Sequence, residues 1–128
     1  MPSKASAAAL LAAAIACLPA SARAAADFPL GLRDRLHDAY YEAGVLDYCG
    51  LLTYEVHDGY ERLVRYLVAA SNIDKETERR IRISGWTDAD YQFDNHGLVG
   101  QRLWCATDGQ TYVRKFLDFR SKQLAGGE

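Results

Sequence analysis

The residue types that carry acid–base or metal chemistry are few in this 128-residue chain, and they are spread along it. His37, His57 and His96 are its three histidines. No two of them stand at a metal-ligand spacing, and no His-Glu-x-x-His motif is present. His57-Asp58 and Asp94-x-His96 put a carboxylate near an imidazole in sequence, which does not by itself bring the side chains together. All three histidines read as surface or helix-end residues. Asp88, Asp90 and Asp94 with Asn95 invite a calcium-loop reading. An EF-hand loop needs oxygen ligands at positions one, three and five, glycine at six and glutamate at twelve. Counted from Asp88, positions five, six and twelve hold Gln92, Phe93 and Val99, so the match fails. These acids read instead as the polar face of a helix segment capped by Thr87 or Asp88. There is no Cys-x-x-Cys-His, and Met1 is the only methionine, which leaves a haem site without axial partners. With no phosphate-binding loop and no nucleophile elbow either, the expectation is no enzyme activity, no catalytic residue, no metal and no cofactor.

The remaining polar clusters have plainer readings. Arg79-Arg80-x-Arg82 is the one dense basic run, and Glu76 and Glu78 stand four residues before Arg80 and Arg82, the favoured order for helical ion pairs. The eight tyrosines are numerous for the length. Tyr40, Tyr41, Tyr48 and Tyr54 gather around one predicted helix and the turn after it. Tyrosine offers an apolar body with a polar tip, so these four are the candidate binding residues.

The first 24 residues have the layout of a secretory signal peptide: Lys4, an apolar run of 12 from Ala7 to Leu18, Pro19, and Ala22-Arg23-Ala24 as a small-x-small cleavage site. The apolar run is too short to span a bilayer. The expected product is residues 25–128, a single helical domain of 104 residues in the periplasm or secreted, with no membrane span after cleavage. Ala14-Ile15-Ala16-Cys17 leaves a lipoprotein anchored at Cys17 as the alternative, although Ala14 is a weak match to a lipobox. Cleavage leaves 13 basic residues against 17 acidic, a balance that argues against nucleic acid as a partner. It also leaves two cysteines, Cys49 and Cys105. In an oxidising compartment a pair predicts one structural disulfide. The closed loop of about 57 residues is worth about 4 kcal/mol in the chain-entropy account.

Stepping outward to the elements, apolar residues recur at helical spacing and strand signals are poor. Leu32, Leu36, Tyr40, Ala43 and Leu46 predict a first helix from about Leu30 to Tyr48. Thr53 caps a second, with Val56, Tyr60, Leu63, Leu67 and Ala70 as its stripe. Asp74 caps a third, carrying Ile81, Trp86, Ala89 and Phe93, and Asn95-His96-Gly97 ends it with Gly97 in the left-handed conformation. The fourth runs from about Leu98 to Lys122. One row is Val99, Leu103, Ala106, Val113 and Leu117. The adjacent row is Cys105, Tyr112, Phe116 and Phe119. Thr107-Asp108-Gly109-Gln110 fits a capping box, but the stripe keeps phase across it and favours continuity. In this phasing Trp86 is core and Trp104 partly exposed. The expected fold is all-α: a four-helix antiparallel bundle stapled by the Cys49–Cys105 disulfide.

The segments YYEAGVLDYCGLLT, HDGYERLVRYLVAA, RRIRISGW and DNHGLVGQRLWC resemble a group of small exported helical proteins of Gram-negative bacteria with no assigned activity. The resemblance runs from about Tyr40 to Phe119. It implies export and a helical fold and transfers no catalytic residue. Three function classes follow: a non-catalytic interaction protein, stress- or chaperone-like in architecture; a small-ligand binder using a Tyr-rich cleft; and an enzyme with a dispersed site. The partner class is an unidentified protein or small ligand.

Overall fold

The computed structural model describes residues 20–127, with side chains over residues 31–97 and 99–127. Residues 1–19, which hold most of the expected leader and Cys17, lie outside the described residues. The described residues form four helices and no strand: α1 (Ala20–Tyr48), α2 (Tyr54–Ser71), α3 (Lys75–Trp104) and α4 (Gln110–Ala125), with a five-residue π-turn, Cys105–Gly109, joining α3 to α4. None of these helices is long and apolar enough to cross a membrane.

The caps lie where side-chain chemistry places them. Thr53 accepts from the Val56 N–H, and Asp74 accepts from the Thr77 N–H at 2.6 Å. Asn72 ends α2 in the left-handed conformation (φ 49°, ψ 41°), which asparagine tolerates better than most residues. α1 starts ten residues before the expected Leu30 and runs through Pro29. Alanine is the strongest helix former, and residues 20–26 contain five of them. Pro29 removes one backbone donor without ending the helix.

Leu32, Leu36, Ala39, Tyr40, Ala43 and Leu46 of α1 bury one face against Val56, Leu63 and Leu67 of α2 and Phe116 of α4. In the second helix's expected stripe Ala70 is exposed, and Gly59 and Ser71 are buried instead. A second cluster joins Val45, Ala89 and Trp104, flanked by Tyr41, Cys49 and Phe93. α1 and α3 pack closely and run the same way: Gly85 meets the backbone of His37 and Tyr41, Gly44 meets Ala89, and Tyr48 meets Phe93. A Cβ on Gly85 would lie 2.7 Å from the Cβ of Tyr40 and 2.8 Å from the His37 carbonyl. A Cβ on Gly59 would overlap the Phe116 carbonyl, so that glycine sets the α2–α4 approach.

Gly97 adopts positive φ (65°, ψ 173°) and breaks α3 into two helical segments there, at the helix end expected from Asn95-His96-Gly97. From Gly97 onward the chain runs on as helix through the π-turn into α4, with Trp104, Cys105, Gly109 and Gln110 all right-handed helical, so the expected continuity through Thr107–Gln110 holds; the π-turn inserts about one extra residue. The π-turn lies inside the expected row and shifts its helical phase, so the continuous row from Val99 to Leu117 does not form. Val99 is 83% exposed and Leu103 66%, while Phe116 is fully buried. The tryptophans exchange the roles expected of them: Trp104 is 4% exposed, stacked on His96 with centroids 4.7 Å apart, and Trp86 is only partly buried. Thr107 forms no capping box; its hydroxyl donates back to the Leu103 carbonyl at 2.8 Å.

Cys49 and Cys105 are bonded, with Cα atoms 5.5 Å apart. The bond ties the end of α1 to the start of the π-turn. Gly109 fits beneath it, because a side chain there would press on Leu51, 3.0 Å from the Cβ position.

Candidate functional site

The four candidate tyrosines do not converge. Seven residues make nearly two helical turns, so Tyr41 and Tyr48 share a face of α1, while Tyr40 lies a quarter-turn away. Tyr40 is buried in the main core, where its hydroxyl donates to Glu78 and its ring meets Tyr60 edge-on at 6.3 Å. Burial, reinforced by Glu78, pushes its phenol far above the usual range. Tyr41 is half-buried against Tyr112 in the second cluster. Tyr54, the first residue of α2, is 79% exposed. Tyr40 lines a small cleft of about 240 Å³ with Tyr60, Glu78 and Arg82, and Tyr48 lines a larger concave surface.

That surface is an open groove of about 540 Å³ at the C-terminal end of α1. Its apolar wall is the stacked pair Tyr48 and Phe93, with centroids 4.1 Å apart and planes 14° apart. Leu51 and the Cys49–Cys105 disulfide form the base, and Gln101, Arg102 and Gln110 supply polar groups along the opposite side. Tyr48 is held by a hydrogen bond from its hydroxyl to Asp90, which pushes the phenol up to about 12. The same hydrogen bond holds the ring in one orientation. Gln101 donates to the Phe93 carbonyl at 3.0 Å, which bridges the kink at Gly97 and holds the groove's two sides together.

The groove does not stop at its rim. Val99, Arg102, Leu103 and Ala106 recur at helical three- and four-residue spacing, and all four are exposed. Arg102 and Ala106 line the groove, so the exposed stripe of Val99 and Leu103 is continuous with it. Phe93, Gln101, Arg102 and the stripe were not candidates by sequence. Gly97 reads as a helix end from the sequence; the feature that a fixed period misses is the π-turn at Cys105–Gly109, which separates exposed Val99 and Leu103 from half-buried Val113 and Leu117.

The other polar clusters are engaged elsewhere. His37 Nε2 lies 2.8 Å from Asp88, His57 lies 3.9 Å from Glu61, and His96 Nδ1 lies 2.5 Å from the Gln92 carbonyl. Glu76 pairs with Arg79 and Arg80, and Glu78 with Arg82. Among the described residues, no three of His, Cys, Asp and Glu are placed to hold a metal ion. Glu42 is nearly buried and takes two contacts from Lys115 Nζ, at 2.7 and 2.8 Å; burial holds its carboxyl above the usual range despite the ammonium.

No family model, no curated protein and no solved structure matches this chain.

Proposed function

We propose that this protein is a small, exported, non-catalytic binding protein whose contact surface is the groove beside the disulfide together with the Val99–Leu103 stripe. The observation that carries the reading is the continuity of that stripe with an aromatic-walled groove. Covering a Val or Leu side chain gains about 1.5–3 kcal/mol, whereas association costs about 4–15 kcal/mol in lost freedom. Val99 and Leu103 alone do not meet that cost, so Tyr48, Phe93 and Leu51 belong to the same contact. An open groove running onto an exposed helical stripe suits a polypeptide with spaced apolar side chains better than an enclosed small molecule. The Cys49–Cys105 bond then staples the helices at this end. The leader-like first 24 residues and the disulfide support an oxidising destination, the periplasm or the exterior.

The test is fluorescence anisotropy with labelled extended peptides carrying two apolar residues, on the wild type and on V99D/L103D. The double variant should lose binding, with its helical circular dichroism unchanged. Ile83 is also exposed but lies away from the groove, so I83D should bind as the wild type does. Equal binding by V99D/L103D and wild type defeats the proposal.

A further inference from the structure

Another concavity lies between α1, α2 and α4 and has a volume of about 250 Å³. Arg35 enters it from α1, Leu63 from α2, and Lys115, Asp118, Phe119 and Lys122 from α4. The α4 residues recur at three, four and seven, which places them on one helix face with cations at both ends and a phenyl ring in the middle. Leu63 is buried and Phe119 half-buried, so the floor is apolar.

The cleft gathers three cations around its floor. The chain is net acidic, at −2. Its other basic clusters are matched by carboxylates: Arg62 and Arg120 share Asp58, and Arg79, Arg80 and Arg82 have Glu76 and Glu78. In the cleft, Arg35 and Lys122 form no ion pair with any described side chain, even though Asp118 lies between them. Lys115 is anchored on Glu42, and an ammonium has three donors, so one remains for a ligand. With Lys115 already paired to Glu42, Arg35 and Lys122 remain beside the single carboxylate Asp118, across an apolar floor.

We propose that this cleft binds an anionic head group, carboxylate or phosphate, that carries an aliphatic tail. The Arg35 guanidinium and the Lys115 and Lys122 ammonium groups take the head. Leu63 and Phe119 take the first methylenes. The volume falls below the range of about 300–1,000 Å³ for drug-sized pockets, so it fits a head group and the beginning of a chain. The same chemistry is offered by a free fatty acid and by an anionic lipid head group.

The experiment is an NMR titration of the purified, disulfide-intact protein with octanoate, octylamine and inorganic phosphate, run beside sedimentation with phosphatidylglycerol vesicles. Octanoate should shift the amides of residues 115–122 and saturate. R35Q/K122Q, two changes at exposed side chains, should weaken it about tenfold or more, since charge-assisted contacts are lost. Octanoate binding without vesicle binding identifies the free amphiphile as the source; loss of vesicle binding in R35Q/K122Q identifies the lipid head group. Octylamine binding as tightly as octanoate, phosphate binding as tightly as octanoate, or R35Q/K122Q binding like the wild type each overturns the proposal.

Discussion

At the scale of single residues, the charges that matter most to the fold join helices. Asp58 Oδ2 accepts from Arg62 at 2.9 Å within α2 and from Arg120 at 2.8 Å across to α4. The two arginines hold its carboxyl below the usual range. A carboxyl depressed in the folded state stabilises the fold above its unfolded value, and that stabilisation is lost as pH falls through the folded value. Glu42 has the opposite sign: its raised carboxyl favours folding at low pH, and that contribution is lost as pH rises through the folded value. D58N should therefore lower the melting temperature at neutral pH, and the difference from wild type should shrink as the pH is taken below about 4. Thermal melts at neutral and acid pH check this; a constant difference would show that Asp58 acts by packing alone. The candidate tyrosines teach a related lesson. Type and clustering drew attention to Tyr40, Tyr41, Tyr48 and Tyr54, but side-chain direction separates them. A quarter-turn of helix sends Tyr40 to the core and leaves Tyr48 at the groove.

At the scale of elements, the sequence was most legible where one side chain decides the backbone. Thr53 and Asp74 cap as expected, Gly97 takes the left-handed conformation, and Cys49 pairs with Cys105. It was least legible in the face of the last helix, because counting at a fixed period assumes unbroken phase, and the π-turn changes it. Nor does a period reveal helix approach, which depends on missing atoms. At Gly59, alanine's gain in helix propensity, about 1 kcal/mol, competes with overlap against the Phe116 carbonyl. Overlap with backbone should win, so G59A should destabilise by about 1–3 kcal/mol. Gly31 meets nothing within 4 Å of its Cβ position, so G31A should be neutral or stabilising by up to about 1 kcal/mol. Urea titration of both variants checks the pair; equal effects would mean that α2 and α4 do not approach at Gly59 as described.

At the scale of the whole molecule, the disulfide links stability to the binding surface. It closes the only covalent loop among the described residues, and it is also the base of the groove. Replacing either cysteine with serine should cost about 2–5 kcal/mol. It should also weaken peptide binding under conditions where the variant is still helical, because Leu51 and the π-turn lose the tie between them. Denaturant unfolding and anisotropy on the same samples separate the two effects. Full peptide affinity in a folded C49S/C105S protein would place the binding surface elsewhere.

The most direct measurement of the central claim is amide hydrogen exchange with and without a bound apolar peptide. The account predicts added protection in residues 48–53 and 93–106, the two sides of the groove and its stripe, with the outer face of α4 unchanged. Protection confined to other segments, or none at saturating peptide, would contradict it.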